Sequence, residues 1–269
     1  MSKIRVTVVG AAGRMGRRLT ALVTASDDMV LTGAVEAPGN PALGGDAGTL
    51  AGVGVSGVGI SDDLDAALKV SDAVINFSTS GAVEAAEKAV AAHCSIVIGT
   101  TARSVEEKAR LAELAKSGRI VLSPNMSIGV NLLFHLAAEA AAKLAGYDVE
   151  IVEMHHNQKK DAPSGTAVRL GEVVAAARGW DYETAVRHGR EGMVGARTSG
   201  EIGMQSLRGG DVVGDHTVIF ATGGERLELT HKASSRDTFA AGALQAVRFL
   251  SGAEPGRLYD MQDVLGLRD

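Results

Sequence analysis

Cysteine occurs once in the 269 residues, as Cys94, so no disulfide framework holds the chain and a reducing compartment is expected. No apolar stretch approaches the roughly 20 residues that span a bilayer, which excludes a membrane partner of the spanning kind. Met1-Ser2-Lys3 ahead of a short apolar run lacks the length and cleavage region of a signal peptide, so the expected location is the cytoplasm. Basic residues form no stripe that would neutralise phosphates. The 27 Lys and Arg stand against 32 Asp and Glu, a net charge of −5, which argues against a nucleic-acid partner. Aromatic residues are only 3%, yet 45% of the chain is hydrophobic, and that level excludes disorder. Glycine is abundant at 34 residues, scattered in turns without a repeat, which excludes collagen-like and linker-like chains. At roughly 150 residues per domain, the length suits two domains or one large one.

The first third alternates short β-branched runs with Ala-rich stretches. Strands are predicted at 4–9, 30–35, 73–77, 95–98 and 119–122, with helices at 13–25, 81–92 and 104–117. Ser104 followed by Glu107 is a capping-box pattern for the last of these helices. Continuous apolar strands separated by helices imply a parallel sheet buried on both faces. Residues 38–60 are Gly-rich and read as an irregular excursion.

The pattern changes after Ser123-Pro124-Asn125. Val130, Leu133, Phe134, Ala137, Ala141 and Leu144 share a helical face, and 149–154 reads as a strand. Segments 201–207, 213–222 and 225–231 read as strands joined by tight turns, with Gly223-Gly224 suited to a hairpin. A final helix near 238–251 follows. The fold class is therefore α/β: a Rossmann-type parallel-sheet domain, then a smaller α+β domain with a mostly antiparallel sheet.

The first strand runs into Gly10-Ala11-Ala12-Gly13-Arg14-Met15-Gly16 and a helix. Gly10 permits the tight turn, Gly13 lets backbone approach a pyrophosphate, and Gly16 lets helix and sheet pack closely. The helix start offers free amides and positive potential to phosphates. Glu36, at the end of the second strand, stands where a carboxylate accepts ribose hydroxyls. Its charge would repel a 2′-phosphate and favours NADH, whereas Arg14, Arg17 and Arg18 would offset that repulsion and leave NADPH open. Phe77-Ser78-Thr79 and Gly99-Thr100-Thr101 follow further strands at their C-terminal ends, where ligands of open α/β sheets bind and small polar residues can line the nicotinamide half of a cofactor, although each taken singly is more often an ordinary turn.

The densest chemical cluster is 152–166, with His155, His156, Lys159 and Lys160 ahead of Ser164-Gly165-Thr166. A His is a proton donor near neutral pH, a nearby Lys is a second donor or holds an anion, and a helix start suits a carboxylate. In a straight strand His155 and His156 point to opposite faces, which leaves one of them available. No metal is expected, because adjacent His residues are poor co-ligands and no Cys or third His lies nearby. His93, His135, His188, His216 and His231 are isolated, residues 187–192 read as a loop, and Cys94 as a small buried residue.

The combination of GAAGRMG, GTT (99–101), SPNMSIGVN (123–131), EMHHNQKKDAPSGTA (153–167) and ERLELTHKASSR (225–236) resembles the 4-hydroxy-tetrahydrodipicolinate reductase (dihydrodipicolinate reductase) family of lysine and diaminopimelate synthesis. The resemblance spans essentially the whole chain. It implies a dinucleotide-binding domain at 1–127, completed by 237–269, and a substrate-binding and tetramerisation domain at 128–236 in a homotetramer. It implies that Gly10, Ala11, Ala12, Gly13, Arg14, Met15, Glu36, Gly99, Thr100, Thr101, Ser123, Pro124, Asn125 and Met126 contact NADH or NADPH. His155 would be the proton donor, aided by Lys159. His156, Lys159, Gly165 and Thr166 would hold the carboxylates of a small cyclic dicarboxylate. Ala37 and Thr79 stand where family members often carry Arg, which removes positive charge near a 2′-phosphate and reinforces NADH. Ala102 and Met126 replace a frequent Gly and Phe.

Overall fold

A computed structural model describes residues 2–100 and 104–268. The chain divides into two compact units, Met1–Ile128 with Arg236–Asp269, and Gly129–Ser235. Among the described residues no helix is long and apolar enough to cross a membrane.

In the first unit β1 (Ile4–Val9), β2 (Met29–Val35), β3 (Ile60–Ser61), β4 (Ala73–Asn76), β5 (Ser95–Ile98) and β6 (Ile120–Leu122) form one sheet in the order β3-β2-β1-β4-β5-β6. Every pairing is parallel. This is the doubly wound order, which reverses between β1 and β4 and opens a crevice at their C-terminal ends. Alternate strand residues serve opposite layers. Val6, Val8, Ile75, Val97 and Val121 pack on one face with the helix Asp237–Gly252, while Val74, Ile96, Ile98 and Ile120 pack on the other. Both faces are buried, which is why these strands read as unbroken apolar runs. The helix Asp237–Gly252 lies so close that a Cβ at Gly242 would stand 1.7 Å from the Met126 carbonyl oxygen. The excursion at 38–60 is more ordered than expected. Asp46 caps a short helix, Ala47–Ala51, and also accepts from the Ser56 and Gly57 amides.

The second unit holds β7 (Asp148–His155), β8 (Val186–His188), β9 (Ile202–Arg208), β10 (Gly214–Thr222) and β11 (Glu225–Ala233), in the order β11-β10-β7-β9-β8. The long ladders of β10 with β11 and with β7 are antiparallel, whereas β9 runs parallel to β7 and to β8. Two expectations are corrected here. First, β9 and β10 are not hairpin neighbours, because β7 lies between them. Their connection crosses the end of β7, where Gly209 N–H donates to the His155 carbonyl and His156 N–H to the Val212 carbonyl. Second, 187–192 is not all loop, since Arg187 and His188 belong to the edge strand β8. Arg190 then pairs with Glu150 at 2.7 Å and Glu201 at 2.5 Å. The Gly223-Gly224 hairpin is present, with Gly224 at φ +96°.

Candidate active site

At the end of β1, Gly10 takes φ +78° and its N–H donates to the Val35 carbonyl at 2.8 Å. That conformation strains any residue with a Cβ. Gly16, on the first turn of the helix Arg14–Thr24, has no room at all: an added Cβ would stand 2.0 Å from the Gly10 carbonyl oxygen and 2.7 Å from Ala11 Cα. The helix start thus sits directly on the elbow. Glu36 lies over the same elbow and accepts from the Ala12 N–H at 2.9 Å and the Ala37 N–H at 3.0 Å. Gly16→Ala is therefore expected to push helix and elbow apart, costing about 1–3 kcal/mol of stability and weakening dinucleotide affinity at least tenfold. A thermal melt and a dinucleotide titration of the variant check this, and wild-type affinity would contradict the packing argument.

A cavity of about 340 Å³ opens beside the elbow, lined by Arg14, Met15, Phe77, Gly99, Pro124, Asn125, Met126, Arg236 and Phe239. The Phe77 ring lies so close over Gly99 that a Cβ there would meet it at 2.2 Å. Seven of the residues expected at a dinucleotide, Phe77 among them, are thus brought together. Others are placed differently. Ala11 is buried and its N–H donates to the Val35 carbonyl at 3.1 Å, and the Ser123 hydroxyl donates to the Asn125 carbonyl at 2.8 Å. Thr100 lines a separate recess with Glu107 and Leu111. Thr101, like Ala102, lies outside the described residues. Arg17 and Arg18 are engaged elsewhere: Arg17 Nε donates to the Ala12 carbonyl at 2.9 Å and Arg18 pairs with Asp237 at 2.5 Å. Arg236 and Phe239 had no expected role, although Arg236 ends one of the resemblance motifs.

In the second unit the core-facing row of β7 runs Val149, Ile151, Glu153, His155. The first two pack in the apolar core against Val218 and Phe220 of β10. The last two continue the row in polar form, with His216 of β10 paired opposite Glu153. Gly214 makes the space for the imidazole, since a Cβ there would stand 3.0 Å from His155 Nε2.

His155 Nδ1 donates to Glu153 Oε2 at 2.6 Å. Glu153 is fully buried and takes both Nη groups of Arg208 at 2.9 Å, plus the Ser164 N–H at 3.2 Å. Burial pushes the Glu153 pKa up, but the bonds from Arg208, His155 and Ser206 outweigh it and hold the carboxyl below its ordinary value. Burial pulls the His155 pKa down, and the repulsion of Lys159 and Arg208 adds to it. The Glu153 bond opposes them only in part, so the net shift is downward. The His216 ring stands edge-on to His155 with centroids 5.2 Å apart, and its Nε2 bonds the Ser164 hydroxyl at 3.0 Å. Burial pushes the His216 pKa down to about 3, so this ring is neutral.

His156 and His155 do part company at the strand end. His156 Nδ1 accepts from the Gln158 N–H at 3.2 Å, and its ring is half-buried. Lys159 Nζ pairs with Asp161 at 2.8 Å, while Lys160 is exposed. Ser164 caps the helix Gly165–Arg178 through the Ala167 N–H, so Gly165 and Thr166 form the first turn. Among the described residues no three His, Cys, Asp or Glu side chains gather as a metal site. Three groups of this network have no local chemical signature in the sequence that marks them as part of a site: Glu153, Arg208 and His216, the last of which stands isolated in the chain. The alternation along 149–155 was the available signal for Glu153. Arg208 and His216 had none without the strand order.

A positive-φ glycine elbow, a carboxylate at the end of β2 and an adjoining cavity fit a nicotinamide dinucleotide. With a buried imidazole–carboxylate pair on the same chain, they define a dinucleotide-dependent oxidoreductase of the two-domain type. Comparison with known proteins narrows this class. Residues 4–126 match the family description "Dihydrodipicolinate reductase, N-terminus", and residues 129–265 match "Dihydrodipicolinate reductase, C-terminus". The chain is 54% identical over 267 residues to the 4-hydroxy-tetrahydrodipicolinate reductase of Syntrophotalea carbinolica, covering 98% of this chain and 100% of that one. It is 53% identical over 266 residues to the enzyme of the same name from Anaeromyxobacter dehalogenans, covering 98% of each. Among solved structures, the dipicolinate-bound dihydrodipicolinate reductase of Paenisporosarcina superposes with a TM-score of 0.78 at 25% identity, covering 97% of this chain and 98% of that one. The chain belongs to the dihydrodipicolinate reductase family.

Proposed function

We propose that this chain reduces 4-hydroxy-tetrahydrodipicolinate to tetrahydrodipicolinate, the step of the diaminopimelate route to lysine for which its relatives are named. The observation that carries the reading is the buried Glu153–His155 pair beside Lys159 and a capped helix start, on a chain that also bears the dinucleotide elbow. The dinucleotide, when bound at Gly10 to Met15, Glu36, Gly99 to Thr101 and Ser123 to Met126, supplies a hydride. The 4-hydroxyl leaves as water to give a conjugated imine; hydride added to that system would build negative charge, which His155 quenches by delivering a proton, with Lys159 assisting. His156, Lys159 and the amides of Gly165 and Thr166 hold the two carboxylates. Those carboxylates also offset the repulsion from Lys159 and Arg208 that adds to burial in lowering the imidazole pKa, so His155 becomes a better-populated acid once substrate is bound.

The first unit is the dinucleotide-binding domain. The second is the substrate-binding domain and carries the contacts of a cytoplasmic homotetramer. NADH is the preferred donor, because Glu36 stands over the elbow, Ala37 brings no cation, and Arg18 is engaged with Asp237. Ala37→Arg is expected to raise the NADPH-to-NADH ratio of kcat/KM by about 10–100-fold, the worth of one charge-assisted hydrogen bond. Steady-state reduction of freshly generated substrate with each dinucleotide in parallel tests both points. No turnover with either would refute the activity, and NADPH-dominant turnover of the unmodified enzyme would refute the donor preference.

A further inference from the structure

Glu153 joins three elements at one buried carboxylate. Its own strand supplies His155 Nδ1 at 2.6 Å, β9 supplies the Arg208 fork at 2.9 Å, and the start of the helix Gly165–Arg178 supplies the Ser164 N–H at 3.2 Å. An ionised carboxylate accepts only, so Nδ1 must carry the hydrogen and Nε2 is the nitrogen left for substrate. Ser164 is held a second time through its hydroxyl, by His216.

We propose that Glu153 is a positioning residue. It fixes the tautomer of His155 and, through the Ser164 amide, locks the start of the anion-binding helix to the proton donor, while Arg208 keeps it ionised. The proposal rests on the reading of His155 as the acid. Its physical core is the difference between a carboxylate and an amide. A carboxylate accepts from His155, Ser164 and Arg208 together. A glutamine of the same shape has one accepting oxygen, and its NH2 group faces either Ser164 or His155. Ser164 N–H, fixed on a capped helix, keeps the oxygen, and the NH2 group donates to His155 Nδ1. The neutral ring then carries its hydrogen on Nε2, and the imidazolium loses its anionic partner. The charged or titratable groups facing His155 are Glu153 on its own strand, Lys159 with Asp161 in the following loop, Arg208 on β9 and His216 on β10.

The test is ¹⁵N NMR of the full-length enzyme labelled at histidine, with His155 assigned from H155Q, together with steady-state kinetics. The unmodified enzyme is expected to show neutral His155 as the Nδ1–H tautomer. E153Q is expected to switch it to Nε2–H and to move its titration midpoint down by about one pH unit. Turnover is expected to fall by about 10²–10³-fold with dinucleotide affinity within twofold, and E153D to restore part of it. If E153Q does not fold, E153Q/R208M removes both buried charges and carries the same NMR readout. An Nδ1–H tautomer with an unmoved midpoint in the folded variant would overturn the proposal. Near-normal turnover of H155Q would instead overturn the reading of His155 as the acid, and the tautomer readout would still decide the role of Glu153.

Discussion

Replacing His155 by Ala is expected to lower turnover by about 10²–10⁴-fold, the usual worth of a positioned general acid. Dinucleotide binding should be unaffected, because the elbow at Gly10 to Gly16 belongs to the other compact unit. Lys159→Ala is expected to fall in the same range. If the two residues act in one proton delivery, H155A/K159A should lose little beyond the worse single variant, since groups that act together are not additive. A double variant with near-normal turnover would remove both from the chemistry. The pH profile adds a signed check. The imidazolium is the acid, so kcat/KM, which reports the free enzyme, should decline as pH rises through the His155 pKa. Burial first, and then Lys159 and Arg208, hold that pKa below the ordinary 6.5. The corresponding fall in kcat, which reports the substrate-bound enzyme, should lie at higher pH, because two carboxylates have joined the site. Profiles that coincide would argue that the substrate carboxylates bind away from His155.

Arg208→Met is expected to destabilise the fold by about 3–5 kcal/mol, the cost of leaving a buried charge without its partner. Glu153 has no solvent exposure, and the Arg208 fork provides two of its bonds. The pH dependence has opposite signs in the two proteins. In the unmodified protein the Glu153 pKa is lowered, so its contribution is present above the unfolded-state pKa and is lost as pH falls through the folded value. In R208M burial acts without the guanidinium and raises the Glu153 pKa. Acid then neutralises the unpaired carboxylate and relieves the penalty. The stability gap between the two proteins should therefore narrow as pH falls from 7 towards 4. Urea midpoints at several pH values measure it, and a gap that widens in acid would show that Glu153 is not the group responsible.

Much of the first unit could be read directly from the chain. Runs such as Ala73–Asn76 and Ser95–Ile98 are apolar at every position because both faces of their sheet are covered. The Ser104–Glu107 capping box forms as its spacing implied, with both reciprocal bonds at 3.2 Å. The glycine elbow was legible for the same reason: it is a local motif whose backbone demands appear within seven residues. The 38–60 segment was not. Its short helix depends on Asp46 accepting from Ser56 and Gly57, a contact that no periodicity announces.

The second unit was legible as elements and not as an order. Turn residues correctly separated β10 from β11, but they cannot say that β7 inserts between β9 and β10, because strand pairing across a sheet depends on register over long separations. The same limit hid half of the site. Arg208 lies 55 residues from Glu153, and His216 lies 52 from Ser164. Each looks ordinary in its own neighbourhood.

What the amino-acid order determined unaided was therefore local: where strands and helices fall, the elbow at Gly10 to Gly16, and the density of proton-bearing groups at 155–166. Tertiary structure alone decided which of those groups meet. It ended the apolar row of β7 in Glu153 and His155, and it brought Arg208 and His216 from neighbouring strands to enclose them. A buried carboxylate needs several donors at once, and only a completed sheet assembles donors from so many parts of a chain.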